Sequence, residues 1–351
     1  MRYPGSLVLP LVALSLLLVL APAGAAQEER VERVAIITPA SRTNQAWDQQ
    51  GVDNLVAVGK ARGIQVDVAE NAGYEDITPI LQDMADDGAQ MIVCHASGYQ
   101  TVCPEFAHSS GVPVVVIENP DAVEDGLVAD IETQAHEAAY LAGVLAGHET
   151  RTGTVAIVVT GEPPTWNYMT VGFAEGLKAA NPQATLIYSV IGEAAYDDAP
   201  GARRSTEAVL AAGADIVFGM GDGASFGMIQ AIREYNAGKP PDEQARFIDV
   251  IGDKSNSEAR DFLLTSVLFD YTGAYSRMID DLEAGTFGRV YTMTLDNGGV
   301  RLLDYPIAVK PESRRAVEQA RAAILDGTIE VSAIGDADGL HARLDELFPD
   351  D

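Results

Sequence analysis

Ser225 stands at the centre of Gly-Ala-Ser-Phe-Gly, Gly223 to Gly227, between a strand-like run and a helix-like run. That is the setting of a nucleophile elbow, in which a sharp turn exposes a serine for acyl transfer. The chemistry needs an acid and a histidine further along. Asp253 or Asp270 could be the acid, and the one later histidine is His341, in a polar stretch. A secreted serine esterase using Ser225 is therefore one reading. The longer segment Gly219–Gly227 also tests as a dinucleotide phosphate loop. Read from Gly221, the Gly-x-Gly-x-x-Gly pattern fails at Phe226. Read from Gly219 it ends in a tolerated Ala224, but it follows a late strand rather than opening a domain. A loop whose backbone approaches a ligand, with a helix N-terminus behind it, fits better.

The chain begins with Met1-Arg2, an apolar run from Leu7 to Leu20, and small residues through Ala26. This is the pattern of a secretory leader, residues 1–26, with cleavage before Gln27 and no later span long enough for a bilayer. A soluble product, periplasmic or secreted, is expected. Cys94 and Cys103, nine residues apart, then read first as a disulfide, a short closure stabilising by roughly 2–3 kcal/mol. A metal site with His95 and His108 is the rival, although the spacing matches no standard zinc pattern. The five histidines are otherwise scattered, with no His-Glu-x-x-His and no P-loop, so no metal or cofactor is expected. A net charge of -29 repels nucleic acid and anionic lipid.

Behind these residues, strand-like and helix-like runs alternate. Val31–Ile37, Gln65–Glu70, Met91–His95 and Pro113–Glu118 are separated by amphipathic stretches, which argues for parallel strands covered on both faces. A second set repeats the arrangement after a helix at Glu132–Ala146: Thr154–Val159, Thr185–Val190, Asp215–Met220 and Phe247–Ile251. The fold class is α/β, with two doubly wound lobes of about 110–120 residues each. Asp296-Asn297-Gly298-Gly299, between two short apolar runs, is a hairpin signal.

The strand ends carry aromatic and polar residues in both halves. They are Asn44 and Trp47; Ser97 and Tyr99; Glu118 and Asn119; Trp166 and Tyr168; Asp222; Asp253 and Lys254; Phe269, Asp270 and Tyr271. Flat rings with hydrogen-bonding groups suit a planar polar small molecule, and the carboxyl ends of such strands are where α/β sheets hold ligands. Trp47 lies off the centre of the apolar face formed by Val52, Leu55, Val56 and Gly59, so it is expected to line a cleft rather than fill a core.

Several stretches, in order, resemble the basic membrane protein family of substrate-binding proteins, the purine-nucleoside-receptor type that serves ABC importers. They are AWDQQGVDNL from Ala46, EAAYLAGVLAG from Glu137, VGFAEGLKAANP from Val171, AAYDDAPGARRSTEAVLAAGADIVF from Ala194, LLTSVLFDYTGAYSRMI from Leu263 and NGGVRLLDY from Asn297. The resemblance implies a type I periplasmic-binding-protein fold, two lobes joined by three crossovers, closing on a ligand. It divides the chain into residues 27–120 plus about 254–284, and residues 121–253 plus about 285–351. It implies that Trp47 lines the cleft and that Glu118 replaces an aspartate that binds ribose hydroxyls. Phe269 stands where nucleoside binders often carry lysine. Lys254 stands where an aspartate is usual, with Asp253 one place early, which favours a carbonyl or anionic group on the ligand.

The expected function is that of a monomeric solute receptor, doing no chemistry, that delivers a purine nucleoside or base to an ABC permease. A sugar or another small metabolite on the same fold is the alternative. Its partners are a small molecule and a permease, with no nucleic acid polymer and no membrane insertion.

Overall fold

Alternate residues of the first strand enter different cores. In β1 (Arg33–Ile37), Val34 and Ile36 join one apolar cluster while Ala35 and Ile37 join another. A run buried on both faces is what a parallel sheet between helix layers requires. The computed structural model describes residue 1 and residues 30–349; apart from Met1, the expected leader lies outside the described residues.

After β1 come α1 (Trp47–Arg62), β2 (Gln65–Ala69), α2 (Thr78–Asp86), β3 (Ile92–Cys94), α3 (Val102–Ser110), β4 (Val114–Ile117) and β5 (Val128–Thr133). Next are α4 (Ala135–Glu149), β6 (Thr154–Val159), α5 (Pro164–Ala180), β7 (Thr185–Val190), α6 (Ala199–Ala211), β8 (Ile216–Met220), α7 (Ser225–Asn236), β9 (Arg246–Ile251) and β10 (Leu263–Phe269). The chain ends with α8 (Thr272–Glu283), β11 (Val290–Met293), β12 (Val300–Leu302), α9 (Pro311–Leu325) and α10 (Ala337–Leu347). Two six-stranded sheets result, ordered β11-β5-β4-β3-β1-β2 and β12-β10-β9-β8-β6-β7. Among the described strands only β12 runs antiparallel to its neighbour, β10. The chain crosses between the sheets after β5, after β10, and between β11 and β12. Among the described residues no helix is long and apolar enough to cross a membrane.

Sheet membership departs from the expected division at three strands. β5 pairs with β4, so the first sheet runs past residue 120. β10 pairs with β9, so the return to the first lobe begins only after Phe269, and β11 then pairs with β5. Asp130 disguises β5 in the sequence. It is a fully buried charge mid-strand, and its Oδ1 accepts the Asn119 N–H at 2.8 Å. The helix expected from Glu132 starts instead at Ala135. The expected hairpin is likewise overturned. The Asn297-Gly298 turn reverses the chain, and Asn297 Nδ2 donates to the Thr292 carbonyl at 2.8 Å. Its two strands then diverge because each already has a partner in a different sheet.

Cys94 and Cys103 are joined by a disulfide that ties the end of β3 to α3, both residues being buried. Replacing both by alanine should lower stability by roughly 2–3 kcal/mol, the loop-closure value for so short a ring. Chemical denaturation of oxidised wild type against the double variant measures this; equal stabilities would refute it.

Candidate functional site

The loop before α1 is ordered by its own polar side chains. Asn44 Oδ1 accepts the Ala46 N–H at 3.1 Å, and Asn44 Nδ2 donates to Asp48 Oδ2 at 2.7 Å. Asp48 Oδ1 in turn accepts the Ala40 N–H at 3.1 Å. This frame sets Trp47 in the first turn of α1, half-buried. Its Nε1 donates to the His95 carbonyl at 3.1 Å, and its ring stacks on the His95 imidazole with centroids 5.0 Å apart. His95 is fully buried, and burial pushes it down to about 4, so it is neutral at pH 7. Its Nε2 lies 3.0 Å from the Trp47 carbonyl and so carries the proton. The imidazole packs where a Cβ of Gly51 would stand, which explains a glycine inside α1. Phe269 and Tyr271, each 6.4 Å from the Trp47 ring and edge-on to it, complete the wall behind.

The second lobe mirrors this arrangement. Pro164 opens α5, a residue suited to a first helical turn because its missing N–H bonds nothing there. Thr165 and Trp166 follow, and Trp166 Nε1 donates to Thr160 Oγ1 at 3.1 Å. Thr165 Oγ1 donates across the cleft to Glu118 Oε1. Asp222, after β8, crosses the other way. Its Oδ1 accepts the Trp47 N–H at 3.3 Å, serving one of the unpaired donors that begin α1. Nearby, Gly252 packs so closely on the Gln45 carbonyl that a Cβ would not fit. The lobes are closed on each other.

Between them lies a cavity of about 340 Å³. Trp47, Tyr74, Trp166 and Tyr196 supply its rings, Glu118 and Asp222 its carboxyls; Ala96–Gly98, Pro163, Thr165 and Ala194 complete the wall. Glu118 and Ala194, both in the cavity wall, have positive φ, 58° and 51°, a conformation that costs a non-glycine residue strain. Burial, reinforced by Glu132 and Asp130, raises Glu118 to about 8. Burial, with Asp48 adding, raises Asp222 to about 7 despite its bond to the Trp47 N–H.

Of the residues expected at a site, the cavity thus gathers Trp47, Ser97, Glu118, Trp166 and Asp222. Asn44 and Phe269 stand behind it as supports. Tyr271 does too, and its N–H also donates to Asn54 Oδ1 at 2.7 Å. Tyr99 is buried against the opposite face of the first sheet, its hydroxyl donating to the Gly73 carbonyl at 2.6 Å. Asn119 Nδ2 donates to the Gln100 carbonyl at 3.3 Å. Tyr168 faces His136 and Gly335, away from the cavity. Asp253 is exposed and accepts the Ser255 N–H at 2.8 Å. Lys254 is buried, pairs with Asp249 Oδ2 at 3.0 Å and is not in the cavity wall. Tyr74 and Tyr196 were not expected. Tyr74 is a single aromatic in a polar loop and leaves no periodic trace. Tyr196 lies within one of the family-like stretches but at no strand end.

Ser225 is not arranged as a nucleophile. It is buried, its Oγ donating to the Gly221 carbonyl at 2.7 Å and lying 3.3 Å from Asp249 Oδ1. His341 lies elsewhere, 2.9 Å from Glu162. The residues weighed as a metal site also separate: both cysteines are in the disulfide, His95 serves Trp47, and His108 meets Glu124. No cluster suited to a metal occurs among the described residues.

Two α/β lobes thus close on an aromatic cavity. The sequence profile described as ABC transporter substrate-binding protein PnrA-like matches residues 31–334, and the chain belongs to that family. It is 23% identical to the transcriptional activator protein Med of Bacillus subtilis over 78% of this chain and 82% of that one. It is also 23% identical to the ABC transporter nucleoside-binding protein BmpA of Lactococcus lactis, over 85% of this chain and 88% of that one. A solved ABC solute-binding protein from Aeropyrum pernix superimposes with a TM-score of 0.76 at 18% identity, covering 90% of this chain and 97% of that one.

Proposed function

We propose that the protein is an exported, monomeric receptor that captures a purine nucleoside or base and hands it to an ABC permease. The cavity carries this reading. Four rings offer flat apolar faces to a planar ring, and two carboxyls offer acceptors to its hydroxyl and amino donors. Its size, near the lower end of the usual ligand range of about 300–1,000 Å³, suits a base or nucleoside better than a larger cofactor. The nucleoside-binding name belongs to the Lactococcus relative and supports the class at a distance. A sugar would use the carboxyls but leave most of the aromatic faces idle. Binding closes the lobes, and the closed form is what a permease would recognise. Likeness to a transcriptional activator does not favour a DNA-binding role here, since a net charge of -29 opposes contact with phosphates.

Mass spectrometry of small molecules released from the purified protein, followed by thermal scans with purine nucleosides, bases and sugars, tests the reading. A purine at a hundredfold excess over its Kd should add about 2.7 kcal/mol of stability. Stabilisation by sugars while every purine is inert would overturn it.

A further inference from the structure

The cavity has two carboxyls in its wall and no lysine, arginine or histidine. Each carboxyl is backed by further acids. Asp130 and Glu132 face Glu118, and Asp48 and Asp197 face Asp222. The Tyr196 and Tyr271 hydroxyls also face Glu118, with Tyr168 within electrostatic reach although its hydroxyl points to Gly335, and Tyr74, Tyr196 and Tyr271 face Asp222; burial raises all four, so they remain neutral. The lysine facing Asp222, Lys254, is already held by Asp249 and by the Val250 carbonyl at 3.1 Å. Asp130 is fully buried beside the Glu132 carboxyl. The two wall carboxyls receive one neutral donor each, Thr165 Oγ1 on Glu118 and the Trp47 N–H on Asp222.

We infer that the molecule held in this cavity carries a positive charge on or beside its flat ring, placed among the aromatic faces and between the carboxyls of Glu118 and Asp222. The inference rests on reading the cavity as the ligand site. Aromatic faces attract cations, more strongly when water is excluded. Carboxylates shut into such a space need a counter-charge, and the described residues supply none to Glu118. Without a counter-charge, both groups take up protons near neutral pH: Glu118 is raised to about 8 and Asp222 to about 7. An entering cation favours their ionised forms and displaces those protons. Affinity for a cation therefore rises with pH through that window, by up to about tenfold per pH unit for each proton released. A neutral ligand gains nothing from the rise.

Calorimetry with two matched pairs tests this at about pH 7, where 1-methyladenosine and 1-methylnicotinamide are cations and adenosine and nicotinamide are neutral. The cation should bind about tenfold or more tightly than its neutral partner in at least one pair. For 1-methylnicotinamide the affinity should rise between about pH 6 and about pH 8.5. Glu118→Gln and Asp222→Asn should each shrink the preference while both variants melt no earlier than wild type, since each removes a half-buried, poorly compensated carboxyl. Absence of a cation preference in both pairs, including binding by none of the four compounds, overturns the inference, as does a preference unchanged in both variants. A preference confined to the nicotinamide pair, with neither adenosine bound, would sustain the charge and sink the purine reading. Equal binding within both pairs with adenosine bound tightly would do the reverse.

Discussion

Replacing Lys254 by methionine is expected to cost the fold about 3–5 kcal/mol, the price of leaving one member of a buried ion pair uncompensated. Lys254 and Asp249 are both essentially inaccessible, their charged atoms 3.0 Å apart at the end of β9. Burial already raises Asp249, and Lys254 is the chief group opposing that rise. In the variant its pKa climbs further, so the folded state prefers protonated Asp249. The sign follows: the penalty is smallest below the ordinary aspartate range and grows as pH rises through the folded-state value. Melting of Lys254→Met should therefore approach that of wild type on going from about pH 8 to about pH 5. A double variant, Lys254→Met with Asp249→Leu, should recover most of the loss because no charge is then stranded. A pH-independent deficit, or a double variant no better than the single, would show that the pair's charge is not what matters.

Trp47→Ala is expected to weaken ligand binding by roughly 1–3 kcal/mol, the range for losing a ring on which a base stacks. The ring has His95 against one face and borders the cavity, so truncation removes ligand contact and also leaves the His95 carbonyl without its donor. Some loss of stability should accompany the loss of affinity. Trp47→Phe separates the two, since it keeps a flat ring but not the Nε1 donor, and it should keep most of the affinity. If Trp47→Ala binds as wild type while melting far earlier, the ring is core and the ligand sits elsewhere.

Much of this arrangement was legible from local pattern. Strands such as Val114–Ile117 and Thr154–Val159 announce themselves because residues facing both helix layers must be apolar, and Trp47 could be placed at a flank because a helix has a definite angular period. Trp166 and Tyr168 could not be told apart in this way. Both were expected at the mouth, but α5 begins earlier than its apolar pattern suggests, at Pro164, and within that helix the two rings point in different directions. Lys254 shows the same limit for charge. In the sequence it stands where a ligand contact was expected, yet Asp249, five residues earlier on β9, claims it in the folded chain.

By itself the sequence determined the α/β class, the doubled architecture and the family, because these depend on periodicities of about two and about 3.6 residues and on the order of motifs. It also marked the five residues Trp47, Ser97, Glu118, Trp166 and Asp222 that the folded chain brings to one cavity. Only the tertiary structure decided which sheet β5, β10 and β11 join, because strand pairing is a competition among edges that no local pattern records. It alone added Tyr74 and Tyr196, drawn from loops of opposite lobes. It alone revealed that the wall holds carboxyls without a cation. Whether a charge is compensated depends on three-dimensional neighbours, and these include groups far apart in the chain, as where the Trp47 N–H reaches Asp222.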